Sequence, residues 1–153
     1  MAASTPLHIA ILAGGYSGEA EVSRRSATMV LEHIDRSRFT PYLVHIEREG
    51  WWAEDPDSGK RVEVQQNILG CTLDGGQVVK ADVAFIMVHG TPGEDGLLQA
   101  HLDLCGIAHT TANARVMATT FHKGWTTALL RDAGIGVAQS VECMPSETWD
   151  AAR

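Results

Sequence analysis

Cysteine is scarce. Cys71, Cys105 and Cys143 are three, an odd number, and no two of them make a CxxC pair. Neither a zinc knuckle nor a disulfide framework is indicated, and thiols this scattered read as reduced, buried residues of a cytoplasmic protein. Basic charge is also short: 12 lysines and arginines face 19 acids, for a formal charge of −7. With no basic cluster to neutralise phosphates, a nucleic-acid partner is not expected, and small molecules or proteins are the better candidates. No run approaches the roughly 20 apolar residues of a membrane span, and the first residues lack the basic start and long apolar stretch of a signal peptide. The expectation is a soluble, cytoplasmic chain with no membrane partner. His8, His33, His45, His101, His109 and His122 form no i, i+4 pair, so no structural metal is expected. Internal repeats and low-complexity segments are missing as well.

What is present is enough for one ordinary domain. The 153 residues are 44% hydrophobic and 20% charged, which suits a folded core rather than a disordered chain. His8 to Ala13 is a short apolar run without polar alternation, the mark of a strand buried on both faces. Gly14 to Gly18 ends it. Ala27, Val30, Leu31 and Ile34 then share one helical face, with Ser17 as the expected cap, Glu19 and Glu21 in the first turn, and Arg24 and Arg25 placed to pair with Glu21. Tyr42 to Glu47 reads as a second strand and completes a βαβ unit. Short edge strands are expected at residues 50–53 and 61–64, with a further piece at 66–73.

Ala81 to Val88 is the third main strand. It stops at His89-Gly90, and a Gly-rich loop leads into a helix through Leu98, Leu102 and Cys105. A fourth short strand at 107–110, a brief helix at 113–119 and a longer one at 122–133 follow, the last closed by Gly134. A final strand is predicted at 139–144 and the start of a helix after Ser146. The fold class is α/β, with a mainly parallel sheet flanked by helices. The ending suggests a fragment of a longer protein.

Two turns can carry chemistry. Gly14 to Glu19 has the strand–turn–helix shape of a phosphate cradle, but it matches neither GxGxxG nor GxxxxGK[ST]. Glu19 and Glu21 sit where an anion would dock, so the turn suits a cation such as a substrate ammonium; a plain tight turn with helix-capping acids explains the same residues. In the second turn, His89 could meet a substrate or act in acid–base chemistry, or serve only the loop. Glu94 and Asp95 are expected to cap the following helix. Lys123 opens a helix where the macrodipole disfavours a cation, a hint of an anionic ligand that a solvated lysine equally satisfies. Trp51 and Trp52 read as packing residues.

Together these pieces resemble the D-alanine–D-alanine ligases. Residues Gly14-Gly15-Tyr16-Ser17-Gly18-Glu19-Ala20-Glu21-Val22-Ser23 are similar to that family's GG-x-S-x-E-x-E-V-S opening, and His89 to Gln99 to its HGxxGEDGxxQ motif. The likeness covers nearly the whole chain. It implies an ATP-grasp ligase whose N-terminal, Rossmann-like pre-ATP-grasp domain spans residues 1–121, with a truncated start of the ATP-grasp domain over 122–153. In that family ATP, with Mg2+, phosphorylates the carboxylate of a first D-alanine, and the amine of a second attacks the acyl phosphate to give the dipeptide of peptidoglycan. The resemblance implies that Glu19 holds the ammonium of the first D-alanine, that Gly14, Gly15, Val22, Ser23 and His89 shape its pocket, and that Lys123 contacts the nucleotide.

It further implies D-alanine, the remainder of the ligase and a second copy of the chain as partners. The remaining catalytic residues lie outside this sequence, so the chain alone is expected to bind neither ATP nor magnesium and to be inactive. Three positions depart from the family pattern: His122 replaces the Asp or Asn before the lysine, Thr127 replaces a second basic residue, and His109-Thr110-Thr111 replaces Tyr-Thr-Gly. A free-standing, non-catalytic module that binds an amino acid or docks on a partner is the alternative reading.

Overall fold

A computed structural model describes residues 5–55, 58–73 and 75–141. In chain order the elements are β1 (Leu7–Gly14), α1 (Ala20–His33), β2 (Phe39–Ile46), β3 (Trp51–Glu54), β4 (Arg61–Glu63), β5 (Cys71–Thr72), β6 (Val78–Val79), β7 (Val83–Ile86), α2 (Leu97–Leu104), β8 (Ala108–His109), α3 (Ala114–Phe121) and α4 (Lys123–Asp132). Six strands form one sheet in the order β4-β3-β2-β1-β7-β8, and β5 pairs with β6 in a separate ribbon. The pairs β2–β1, β1–β7 and β7–β8 are parallel, whereas β3 and β4 add an antiparallel edge. The mainly parallel α/β sheet read from the sequence is thus the architecture found.

β1 is central because it is apolar on both faces. Ile9, Ile11 and Ala13 point to the side covered by α1, where Ala27, Val30, Leu31 and Ile34 meet them. Ala10 and Leu12 point the other way, into a larger cluster with Val44, Ile46, Leu98 and Leu102. A strand that buries both sets of side chains cannot alternate in polarity, which is why its run is continuous. β2 is longer than the sequence suggests. It starts at Phe39 and carries Pro41 inside the strand, opposite Ile9. β3 pairs only with Val44 to Ile46, so Pro41 lies where β2 has a single neighbour and a missing N–H breaks no second ladder.

Other expectations need correction. The third main strand is only Val83–Ile86: the Met87 N–H makes one more bond to β1, to the Leu12 carbonyl at 3.0 Å, while the apolar run continues through Val88. The piece predicted over 66–73 joins no main sheet; Cys71–Thr72 pairs with Val78–Val79 instead. Residues 139–141 are not strand, and the rest of that predicted strand, with the helix after Ser146, lies outside the described residues.

The chain leaves β1 for β2 on one side and later returns through β7 to β8 on the other, so the strand order reverses at β1. Such a switch point opens a crevice at the carboxyl ends of the strands, between the turns after β1 and β7. Those turns carry the two motifs.

Candidate functional site

The turn after β1 is pressed between its neighbours. Gly15, at φ +104°, donates from its N–H to the Ile46 carbonyl at 2.9 Å, and a Cβ there would sit 2.7 Å from a Val88 methyl carbon. Only glycine fits both the space and the left-handed backbone. Tyr16 donates from its N–H to the Thr91 carbonyl at 2.8 Å, and the Arg48 guanidinium lies 4.8 Å over the Tyr16 ring. The Ser17 hydroxyl donates to the His89 carbonyl at 3.0 Å and accepts from the Glu19 N–H at 3.2 Å. The second turn closes on the first through Gly90, at φ +66°. A Cβ on Gly90 would be 2.7 Å from Ser17 Oγ and 3.5 Å from Glu19 Oε2. Glu19, Ser17 and the His89-Gly90 backbone therefore share one small space.

Ser23 locks this arrangement from the helix. It is fully buried; its hydroxyl accepts from the Gly14 N–H at 2.9 Å and donates to the Met87 carbonyl at 2.7 Å. One side chain of α1 thereby ties the end of β1 to the segment after β7. Both hydrogen-bonding functions of Ser23 are spent on backbone, so within this structure it shapes the seat by holding the frame.

Two sequence expectations about caps are corrected here. Ser17 does not cap α1: the N-cap position is Glu19, with no side-chain cap, and the Ser17 hydroxyl links the two turns instead. Glu94 does not cap α2 either. Its carboxylate accepts from the Gly90 N–H at 2.7 Å, pinning the loop at its start, while Asp95 accepts from the Leu97 N–H at 3.1 Å as expected. The first link joins residues 72 apart in sequence, which no local pattern reveals.

The remaining predicted residues separate into two groups. Glu19 is exposed and its carboxylate has no ion-pair partner among the described residues. His89 is half-buried, and no side-chain hydrogen bond engages its imidazole among the described residues. Gly14, Gly15 and His89 lie at the joined turns, and Ser23 holds them from α1. Val22 is 53% exposed on the stripe of α1 that includes Arg25 and Met29, away from the stripe of Ser23 and Ala27 that packs on the sheet. Lys123 is the first residue of α4 and lines a surface hollow with Thr127, Arg131 and Ser140. α4 packs on α3, and α3 on α2, so Lys123 belongs to a different part of the molecule from the joined turns. His122 takes over the cap: its Nδ1 accepts from the Trp125 N–H at 3.2 Å. An imidazole nitrogen thus does for α4 what an Asp or Asn side chain does at other helix starts. No group of three or more His, Cys, Asp or Glu side chains among the described residues is placed to hold a metal ion.

Comparison with known proteins agrees with this geometry. Residues 8–112 match the family described as D-ala D-ala ligase N-terminus. A D-alanine–D-alanine ligase of Porphyromonas gingivalis is 38% identical over 140 residues, covering 92% of this chain and 42% of the relative. One from Phocaeicola vulgatus is 40% identical over 133 residues, 87% of this chain and 40% of its own length. Among solved structures, the D-alanine–D-alanine ligase of Coxiella burnetii superposes with a TM-score of 0.79 at 28% identity, over 95% of this chain and 48% of that one. The VanG D-Ala:D-Ser ligase of Enterococcus faecalis gives 0.74 at 28% identity, over 88% and 44%. The chain spans about two-fifths of the length of the curated relatives it matches. With both turns, the sheet order and these matches in agreement, the chain belongs to the D-alanine–D-alanine ligase family and corresponds to its N-terminal domain.

Proposed function

We propose that this chain is the substrate side of an ATP-dependent D-alanine–D-alanine ligase, and that the joined turns seat the first D-alanine. The observation that carries the reading is the Ser17–His89 link, which brings Glu19, a carboxylate without an ion-pair partner among the described residues, against the Gly90 backbone. An acid that is not already in an ion pair attracts an ammonium group more strongly than one whose charge is engaged by a neighbouring cation. Binding the ammonium there leaves the carboxylate of the amino acid free to be activated. His89 and the Gly14-Gly15 backbone border the same space and restrict it to a small side chain.

In the complete enzyme ATP, with magnesium, supplies the phosphoryl group that activates that carboxylate. The described residues provide no cluster able to hold the metal, and phosphoryl transfer depends on cations around the moving group. No catalytic step is assigned to this chain on its own, and the 153 residues alone are expected to release no phosphate from ATP and D-alanine. The proposed boundary between the seat and the nucleotide-binding part lies at 121/122, where α3 ends at Phe121 and α4 starts at Lys123, the residue proposed to face the nucleotide.

Glu19→Ala in the complete ligase tests the reading. Loss of a charge-assisted contact of about 1.5–3 kcal/mol corresponds to roughly a 10- to 150-fold weaker apparent affinity for the first D-alanine. Steady-state kinetics with varied D-alanine measure it, and unchanged first-site kinetics would overturn the assignment of this carboxylate.

A further inference from the structure

A second polar feature braces the loop that carries His89. Gln99 is fully buried on α2, on the same stripe as Leu98 and Leu102, where an apolar side chain would be expected. Its Nε2 donates to the Gly93 carbonyl at 2.7 Å and to Thr111 Oγ1 at 3.0 Å. Thr111 Oγ1 is 3.3 Å from His109 Nδ1, and His109 Nε2 is 3.2 Å from Asp103 Oδ1. The His109 side chain is 8% exposed and Asp103 is 54% exposed. An unbroken series of hydrogen bonds therefore runs from a carboxylate on the surface to the backbone of the loop that carries His89.

The direction of every bond follows from the chemistry of its ends. An ionised Asp103 only accepts, so His109 Nε2 carries the proton. With the ring neutral, Nδ1 is an acceptor and the Thr111 hydroxyl donates to it. The Thr111 oxygen is left with a lone pair for one Gln99 N–H, and the second N–H of the same amide holds the Gly93 carbonyl. Turning the amide over would set Gln99 Oε1 against that carbonyl, acceptor facing acceptor, so the network fixes its orientation. Gln99 Oε1 has no partner among the described residues. The amide is thus held by its donor side alone, one N–H on the Gly93 carbonyl and the other on Thr111.

His109 and Thr111 stand where the resemblance noted above has tyrosine and glycine. Neither side chain takes part in the sheet, to which His109 contributes only backbone as the second residue of β8. The Thr110 hydroxyl accepts from the Ile86 N–H and the Thr110 N–H donates to the Ala84 carbonyl, which completes that edge. We propose that Gln99 is a positioning residue for the His89 loop, oriented by the series Asp103–His109–Thr111, and that His109 and Thr111 are a local solution to holding this loop. The consequence for substrate rests on the proposed seat; the series itself does not.

Nitrogen-15-labelled protein of these 153 residues tests it without substrate. Long-range proton–nitrogen spectra are expected to show His109 as the Nε2–H tautomer. Thr111→Val, which keeps the shape and removes the hydroxyl, is expected to shift the Gln99 side-chain amide, the Gly93 and Glu94 backbone amides and the His89 ring signals. Thr111→Ser is expected to restore the wild-type positions of all four. The Nδ1–H tautomer in the wild-type protein, unmoved Gln99 and Gly93 signals in Thr111→Val, or signals in Thr111→Ser displaced as far as in Thr111→Val would each overturn the proposal. None of these outcomes bears on Glu19, whose test is kinetic, so the two readings fail separately.

Discussion

In the sheet, β1 holds Ile9, Ile11 and Leu12 at 0–4% exposure, whereas the pair α3–α4 has no buried residue and leaves Phe121, Trp125 and Leu129 47–58% exposed. The sheet is held by apolar burial on both faces. The helix pair is held mainly by hydrogen bonds at its ends and between its turns: Asn113 caps α3, His122 caps α4, and the Thr126 hydroxyl donates to the Thr119 carbonyl at 2.8 Å. Both walls of the proposed D-alanine seat belong to the first kind of structure, and Lys123 to the second. The seat is consequently built into the most tightly packed part of the chain, and the residue proposed for the nucleotide is carried on a part with little packing of its own.

Substitutions can break this comparison. Leu12→Ala should have the largest effect, a loss of about 2–5 kcal/mol, because it empties a fully buried site between sheet and helix. Urea unfolding measures it, and a loss under about 1 kcal/mol would contradict the account of the core. Ser23→Ala comes next, at about 1–3 kcal/mol, since it strands the buried Gly14 N–H and the Met87 carbonyl together. The same titration serves, and a near-neutral result would mean that the link across the two strands is not a structural tie. Leu129→Ala should do least, within about 0.5 kcal/mol, as an exposed residue leaves no cavity. A loss comparable to that of Leu12→Ala would erase the contrast between the two regions.

Much of this was legible in the sequence, for reasons that can be stated. β1 and the turn after it were readable because a run buried on both faces cannot alternate, and because Gly14-Gly15 marks a sharp exit. The Glu19 and His89 turns could be named as candidates from residue type alone. Their meeting could not, since it depends on strand order, and the Ser17 hydroxyl was assigned to the nearest helix when its partner lies across the crevice. Glu94 was misread in the same way, as a local cap instead of a brace for Gly90. Gln99 offered a signal that can be used elsewhere: a polar residue on the buried stripe of a short helix has to satisfy its amide inside the protein. The strand read from the sequence is longer than β7 because hydrophobicity records burial, and Met87 and Val88 are half-buried and buried although the strand ends at Ile86.

The Ser23 hydroxyl has one more consequence. By fastening Gly14 and Met87 to the same helix, it fixes the separation of the two backbones before any ligand arrives. On the proposed reading, an amino acid docking at the turns that follow leaves little protein main-chain freedom to freeze out, so a small, flexible zwitterion can be held there by very few contacts.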